Sequence, residues 1–314
     1  MRALRYKAFG AIADVLRTEE VPDPQPGDGD VLIRTRYVGV NPLDWKLVEG
    51  HFKLFARSRP PCGVGAEFAG EVLSVGSRVS TLRAGDHVAA WLNPFAEPPR
   101  ALAECVCVPA AQCVPVPDGV GLDIAAVTSV AGLSALQLIE LVGARPGQRV
   151  LVHGAAGGVG SFVVPMLKAR GTSVVATGSR ASQSFLETLG ADARVDYAKP
   201  PDTWSGPFDA IIDCASTLSR AVVARLMSTG HVATTLPAFP QVVFDPIVNP
   251  LRRIRWHALR LTPSATQLSQ ILESIAAGRL AVHLTRTYRF GESIAALEES
   301  RSGRVRGKLA IAVD

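Results

Sequence analysis

The stretch VLVHGAAGGVGSFVV, residues 150–164, constrains the fold more than any other part of the chain. An apolar run ends in a cluster of glycines, and the chain then enters a helix at Gly158 or Val159. Ala155, Gly157 and Gly160 fall on the three positions of a dinucleotide fingerprint, with alanine in place of the first glycine. Gly157 lets backbone approach a pyrophosphate, and Gly160 lets the helix pack close to the strand. The helix N-terminus at Gly158 and Val159 offers amide donors to the anion. Pro165 lies beyond the first turn, where it is expected to leave a carbonyl unpaired and to kink the helix.

The segments on either side fit that reading. Strand-like and helix-like runs alternate through RVLVHG (149–154), a helix at 158–170, SVVATG (173–178), a helix at 181–189, ARVDY (193–197) and FDAIIDC (208–214). Alternation at this spacing marks βαβ units around a doubly wound parallel sheet, the Rossmann arrangement. Upstream the texture differs. DVLIRTRYVGV (30–40), EFAGEVLSVG (67–76) and DHVAAWL (86–92) are strand-like runs separated by turn chemistry such as PGDGD and RAGD, which reads as a mostly antiparallel β domain. A helical run at 123–143 follows, with Asp123 as its expected N-cap and Gly143 as its stop. The chain closes with a helix from about 263, a strand-like HLTRTYRF and GKLAIAV. The expected division is 1–122 with 263–314, and 123–262.

Composition sets bounds on function. A chain of 314 residues with 47% hydrophobic and 19% charged residues can fold around two cores. No apolar stretch is long enough to cross a bilayer, and the opening MRALRYKAFG lacks the apolar centre of a signal peptide. A cytoplasmic protein with no membrane partner is therefore expected, and its five cysteines read as reduced thiols. The net charge of +5 comes from scattered arginines, densest in RRIR at 252–255. A small polyanionic ligand or a solvated surface accounts for it more economically than nucleic acid. Cys105, Cys107 and Cys113 read as core thiols, the histidines show no pair at metal spacing, and no nucleophile elbow supports hydrolysis.

The end of the second strand selects the cofactor. A ribose-binding acid should stand about 20 residues beyond the fingerprint. Gly178 occupies that place, followed by Ser179 and Arg180. A hydroxyl and a guanidinium with no carboxylate suit a 2′-phosphate, so NADP(H) is expected rather than NAD(H).

With these motifs in order, the chain resembles the medium-chain dehydrogenase/reductase superfamily, in its zinc-independent quinone oxidoreductase and alkenal reductase branch. The likeness is carried by NPLDWKLVEG (41–50), GAEFAGEVLSVGSRV (65–79), RAGDHV (83–88), ALAECVCVP (101–109), AAGGVG (155–160), LGAD (189–192), FDAIIDC and RGKLAIAV (306–313). It implies an α/β architecture: a GroES-like, mostly β catalytic domain completed by the C-terminal segment, around an inserted Rossmann domain. The positions that hold catalytic zinc in the alcohol dehydrogenases of the superfamily carry Asn41, Ala66 and Val130 here. Ala66 and Val130 cannot ligate zinc, and Asn41 alone cannot hold it.

The resemblance also implies roles. Glu67 is a motif acid without its metal partner, expected to tie down backbone or a nearby arginine, with proton transfer as the alternative. Asn41, Asp44 and Lys46 come from the segment that borders the nicotinamide in relatives. Lys46 either donates a hydrogen bond to the acceptor's carbonyl oxygen or is a solvated surface lysine. Thr128 falls near the nicotinamide amide, and Tyr197 and Lys308 fall where relatives contact cofactor phosphate or adenosine. IRWHALRL (254–261) lies where relatives extend a sheet across a homodimer. The implied activity is hydride transfer from NADPH to a quinone or to the activated C=C of an α,β-unsaturated carbonyl. An enoyl-thioester reductase and a non-catalytic NADPH-binding protein are the alternatives.

Overall fold

A computed structural model of the chain describes residues 1–204, 206–235 and 239–314, with backbone only for 239–243. The chain divides into two compact units, Met1–Val130 with Pro263–Asp314, and Ala131–Thr262. The first junction falls after Val130 and not at 122. The helix Leu122–Ala126 packs on the strands Asp30–Val40, Glu67–Val75 and His87–Trp91, and so belongs to the first unit.

In that unit the strands run, across the sheet, Leu284–Arg289, Lys308–Ala312, Asp30–Val40, Glu67–Val75, His87–Trp91 and Cys113–Pro115. Cys105–Pro109 pairs with Asp30–Val40, and only the Leu284–Arg289/Lys308–Ala312 pair is parallel. A smaller sheet joins Leu16–Glu20, Arg2–Tyr6 and Cys62–Gly63. One core fills the unit, with Ile33, Val38, Phe68, Val88, Leu102 and Ile311 all at most 2% exposed. The strand Asp30–Val40 lies between the other two strands that matter for the site. Gly39 pairs with Glu67 on one side, and Val40 with Leu309 on the other.

The second unit is a parallel sheet of β1 (Arg149–His153), β2 (Ser173–Gly178), β3 (Ala193–Asp196), β4 (Ala210–Asp213), β5 (Gly230–Thr234) and β6 (Ile254–Ala258), in the order β3-β2-β1-β4-β5-β6. That is the doubly wound dinucleotide-binding order, with its switch point between β1 and β4. The helix Gly160–Ala169 runs through Pro165 as one element. At the sheet edge, the Trp256 amide donates to Asn249 Oδ1 at 2.9 Å and its carbonyl accepts from Nδ2 at 2.6 Å. Arg253 and Leu259 bond toward β5, so the alternate residue Trp256 faces outward, and its edge is already closed.

The helical run at 123–143 is two helices, Leu122–Ala126 and Ser129–Val142. Gly121, not Asp123, holds the N-cap position. Gly143 ends the second helix in the left-handed conformation, φ 61°, as expected.

Candidate active site

The break between those helices is where Glu67 acts. Its side chain is fully buried, and Oε2 accepts the Val130 amide at 2.6 Å. A carboxylate there satisfies one of the unpaired amides at the start of Ser129–Val142 and opposes the positive end of the helix dipole. Oε1 accepts from Asn41 Nδ2 and from Lys308 Nζ, each at 2.8 Å. The buried acid is thus tied to backbone, as expected, and to a lysine where an arginine was expected.

Lys308 is only 3% exposed. Besides Glu67, its ammonium donates to the Val40 carbonyl at 2.9 Å and to Asn41 Oδ1 at 2.7 Å. An ammonium has three donors, and all three are engaged inside the first unit. This corrects the expectation that Lys308 binds cofactor phosphate: it has no donor left to give. Antiparallel register explains the meeting, because Leu309 opposite Val40 sets Lys308 opposite Asn41.

Asn41 is buried with both ends of its amide in this network. Its backbone amide donates to Asp44 Oδ2 at 2.8 Å, starting the helix Pro42–Val48. Asp44 is 2% exposed, and burial pushes its carboxyl up to about 7 against the pull of the Asn41 amide. Its other oxygen, Oδ1, has no hydrogen-bond partner among the described residues, and the Ala66 amide adds a smaller pull toward the anion. This geometry gives Asn41 and Asp44 a positioning role, correcting their expected contact with the reacting groups. Lys46 differs from both. It is half-buried on the same helix, its ammonium lies 5.4 Å from the centre of the Trp45 ring, and burial lowers its pKa. Thr128 is wholly buried, and its hydroxyl donates to the Ile124 carbonyl at 2.7 Å. Its hydroxyl is thereby spent on the helix break.

The glycine turn stands in the second unit, beyond the carboxyl end of β1. The left-handed turn belongs to Gly154, φ 71°, rather than to Ala155, whose amide is bonded to Thr177. A side chain on Gly160 would begin 2.6 Å from the Ala155 carbonyl oxygen, so helix and turn touch there. One on Gly157 would meet only the Gly154 carbonyl oxygen, at 3.5 Å. Gly158 and Val159 are partly exposed, and no backbone acceptor among the described residues takes their amides. Across the switch point, buried Asp213 accepts from the amides of Ala215, Ser216 and Leu218 and folds that loop against Gly154. Sequence reading missed this role; the one signal was an acid ending an otherwise apolar strand.

Next to the turn, the Tyr197 amide donates to the Gly178 carbonyl at 3.1 Å. That bond brings the half-exposed tyrosine beside Ser179 and Arg180 at the end of β2. Arg180 is exposed, and its guanidinium has no partner among the described residues. Open backbone, unspent amides and an unpaired guanidinium beyond the carboxyl ends of β1 and β2 fit a dinucleotide cofactor. Gly157, Gly158 and Val159 would hold its pyrophosphate, and Ser179, Arg180 and Tyr197 its adenosine end.

Comparisons with known proteins agree with this geometry. Residues 27–118 match the alcohol dehydrogenase GroES-like domain, and residues 189–311 the zinc-binding dehydrogenase family. The chain is 30% identical over 323 residues to the chloroplastic quinone oxidoreductase QR1 of Triphysaria versicolor, covering 99% of this chain and 98% of that protein. It is 36% identical over 238 residues to prostaglandin reductase-3 of Bos taurus, covering 69% and 60%. The solved quinone oxidoreductase of Coxiella burnetii superposes with a TM-score of 0.91 at 28% identity, covering 100% and 99%. The chain belongs to the medium-chain dehydrogenase/reductase superfamily, in its quinone oxidoreductase branch. It is an oxidoreductase of a superfamily that uses a nicotinamide cofactor.

Proposed function

We propose that this protein uses NADPH to reduce quinones or the activated C=C of α,β-unsaturated carbonyls, and that it does so without zinc. The observation that carries the reading is the Glu67–Lys308–Asn41 network. The residues at the motif positions do not fit a zinc site. Ala66 offers a methyl group, Val130 gives its amide to Glu67, and Asn41 and Glu67 are both spent on an ammonium. An acceptor that is already electrophilic needs no Lewis acid, because conjugation spreads the charge it gains.

The cofactor supplies hydride; the chain supplies position and hydrogen bonds. Amides at Gly158 and Val159 bind the pyrophosphate, and Arg180 pairs with the 2′-phosphate. Lys46, the one reachable cation on its helix, donates a hydrogen bond to the acceptor oxygen as negative charge develops. The names of the Triphysaria and bovine relatives, a quinone oxidoreductase and a prostaglandin reductase, support both acceptor types. No described helix is long and apolar enough to cross a membrane. The Triphysaria relative is chloroplastic, whereas the sequence led us to expect a cytoplasmic protein. The test is NADPH oxidation by purified protein against simple quinones, short enones and an enoyl thioester. Turnover with the thioester alone would replace this reading.

A further inference from the structure

The proposed chemistry has no part for His153, a buried titratable side chain at the carboxyl end of β1. Its ring stacks on Trp204, with centroids 5.5 Å apart and planes 18° from parallel. The Trp204 indole is itself fixed, donating to the Lys199 carbonyl at 3.0 Å. Both imidazole nitrogens are engaged. Nδ1 lies 2.7 Å from Thr177 Oγ1 on β2, and Nε2 lies 2.9 Å from Thr217 Oγ1 in the loop after β4. Asp213 holds that loop by accepting the amides on either side of Thr217, those of Ser216 and Leu218.

The partners decide where the imidazole proton sits. Thr177 Oγ1 already accepts the Gly154 amide at 3.3 Å. A hydroxyl has one proton to donate, and among the described residues His153 Nδ1 is the only acceptor bonded to this one. Nδ1 therefore accepts and carries no proton. The proton of the neutral ring is then on Nε2, which donates to Thr217 Oγ1. Burial favours that neutral ring, lowering its pKa against the pull of the Asp213 carboxylate. The result is one oriented chain of hydrogen bonds, from the Gly154 amide to Thr177, from Thr177 to His153 and from His153 to Thr217.

The segments it joins surround the glycine turn. Thr177 also accepts the Ala155 amide through its carbonyl at 3.0 Å, so it holds the turn at two successive residues. The loop after β4 closes on the turn from the other side, where a side chain on Gly154 would begin 3.0 Å from Ala215 Cβ. We infer that His153, with its proton on Nε2, is a positioning residue for the dinucleotide. It locks the turn that binds the pyrophosphate between the end of β2 and the loop after β4. This rests on the proposed nicotinamide cofactor. A histidine that only filled the core would need its shape and its Trp204 contact, and not the hydroxyls at its two nitrogens.

The experiment has two arms. Nitrogen–proton correlation spectra of the imidazoles in the unmodified, cofactor-free protein read the tautomer, with the His153 signals identified by their loss in His153→Gln. A proton on Nε2 and none on Nδ1 is expected at neutral pH; a proton on Nδ1 would overturn the inference. The second arm is fluorescence titration with NADPH and NADH at a temperature where every variant is folded. Thr177→Val and Thr217→Val keep the shape and remove the hydroxyl. Each is expected to weaken both cofactors, which share the pyrophosphate, by about three- to ten-fold, the worth of a hydrogen bond. Thr177→Ser and Thr217→Ser keep the hydroxyl and should bind close to the parent. Valine variants that lose stability but bind both cofactors as tightly as the parent would make His153 a core residue only. Binding of neither nucleotide by the unmodified protein would remove the proposed cofactor and this inference with it. Normal binding with a proton on Nδ1, or with no effect of valine, removes the inference alone.

Discussion

Glu67 reaches Lys308 across the backbone of Gly39, closing a 2.8 Å ion pair between two strands that are not neighbours in the sheet. Gly39 has to be a glycine for this to happen. A methyl group there would press on Glu67 Oε1 and on the Ala126 carbonyl oxygen. The pair joins the C-terminal strand to the catalytic-domain sheet and to the start of a helix, so its first consequence is for stability. Lys308→Met should destabilise the protein by about 3–5 kcal/mol, because it leaves a buried carboxylate without its cation. Chemical denaturation measures this. A variant of unchanged stability whose NADPH affinity alone has fallen would return Lys308 to the cofactor site.

Asp44 predicts a pH dependence. Its carboxyl is raised from 3.8 to about 7 by burial, so between those values the folded chain binds the proton more tightly than the unfolded one. Stability from this group is full below 3.8 and is lost as pH rises towards 7, up to about 4 kcal/mol in all. Asp44→Asn keeps an acceptor for the Asn41 amide and removes the titration. The variant should show a flatter dependence of unfolding free energy on pH between 4 and 7. Parallel profiles for variant and parent would show that Asp44 is ionised throughout.

The glycine turn separates binding from folding at two positions. Gly160→Ala should cost about 1–3 kcal/mol of stability, since its methyl group meets Ala155 backbone that cannot yield. Gly157→Val should leave stability nearly unchanged, because only the Gly154 carbonyl oxygen lies nearby. It should still weaken NADPH binding by about ten-fold or more, by holding the pyrophosphate off the backbone. Thermal melts with and without NADPH distinguish the two. Full cofactor affinity in Gly157→Val would place the pyrophosphate elsewhere.

What could be read from the sequence was local. The strand Asp30–Val40 is a β-branched run bounded by turn residues, and it spans the residues expected. The Rossmann order follows from alternation and a glycine turn, each contained within a few dozen residues. What escaped depends on distant partners. The run 123–143 has helical periodicity throughout, but Glu67, 63 residues upstream, takes the Val130 amide at the point where the helix restarts. Lys308 was expected, from the resemblance, to contact cofactor phosphate or adenosine, and nothing near it in the chain shows that register sets it opposite Asn41. Gly230–Thr234 and Arg2–Tyr6 are five-residue strands of mixed polarity, too short to stand out. On the cofactor side the expected residues are close in the chain or joined by one local bond, the Tyr197 amide donating to the Gly178 carbonyl beside Ser179 and Arg180.

Arg180 leads to a cofactor preference. An exposed guanidinium without an internal partner loses little by pairing with a phosphate, and a charge-assisted bond is worth roughly 1.5–3 kcal/mol. Arg180→Ala should therefore weaken NADPH about ten-fold or more while leaving NADH nearly unchanged. Fluorescence titration of both cofactors measures the difference. Equal affinities for NADPH and NADH in the unmodified protein would remove the 2′-phosphate from the reading.

The reaction itself depends on where a proton donor stands. Oxidation of a simple alcohol requires removal of a hydroxyl proton, for which enzymes use a metal or a well-placed base. The carboxylates nearest the motif positions are engaged: Glu67 with Lys308, and Asp44 with the start of its own helix. Lys46 remains, half-buried, with a pKa lowered by burial, a state that favours giving up a proton or sharing it with an oxygen gaining charge. NADPH oxidation by a quinone or short enone is expected, with little NADP⁺ reduction by ethanol or 2-propanol. Lys46→Ala should lower kcat by about ten-fold or more and leave NADPH affinity within a few-fold, because the hydrogen bond strengthens only as the acceptor oxygen becomes negative. Lys46→Arg should recover part of the loss if charge is what matters. Unchanged kcat in Lys46→Ala would remove Lys46 from the mechanism and leave the acceptor class standing, whereas robust secondary-alcohol oxidation by chelator-treated protein would defeat the acceptor class as well.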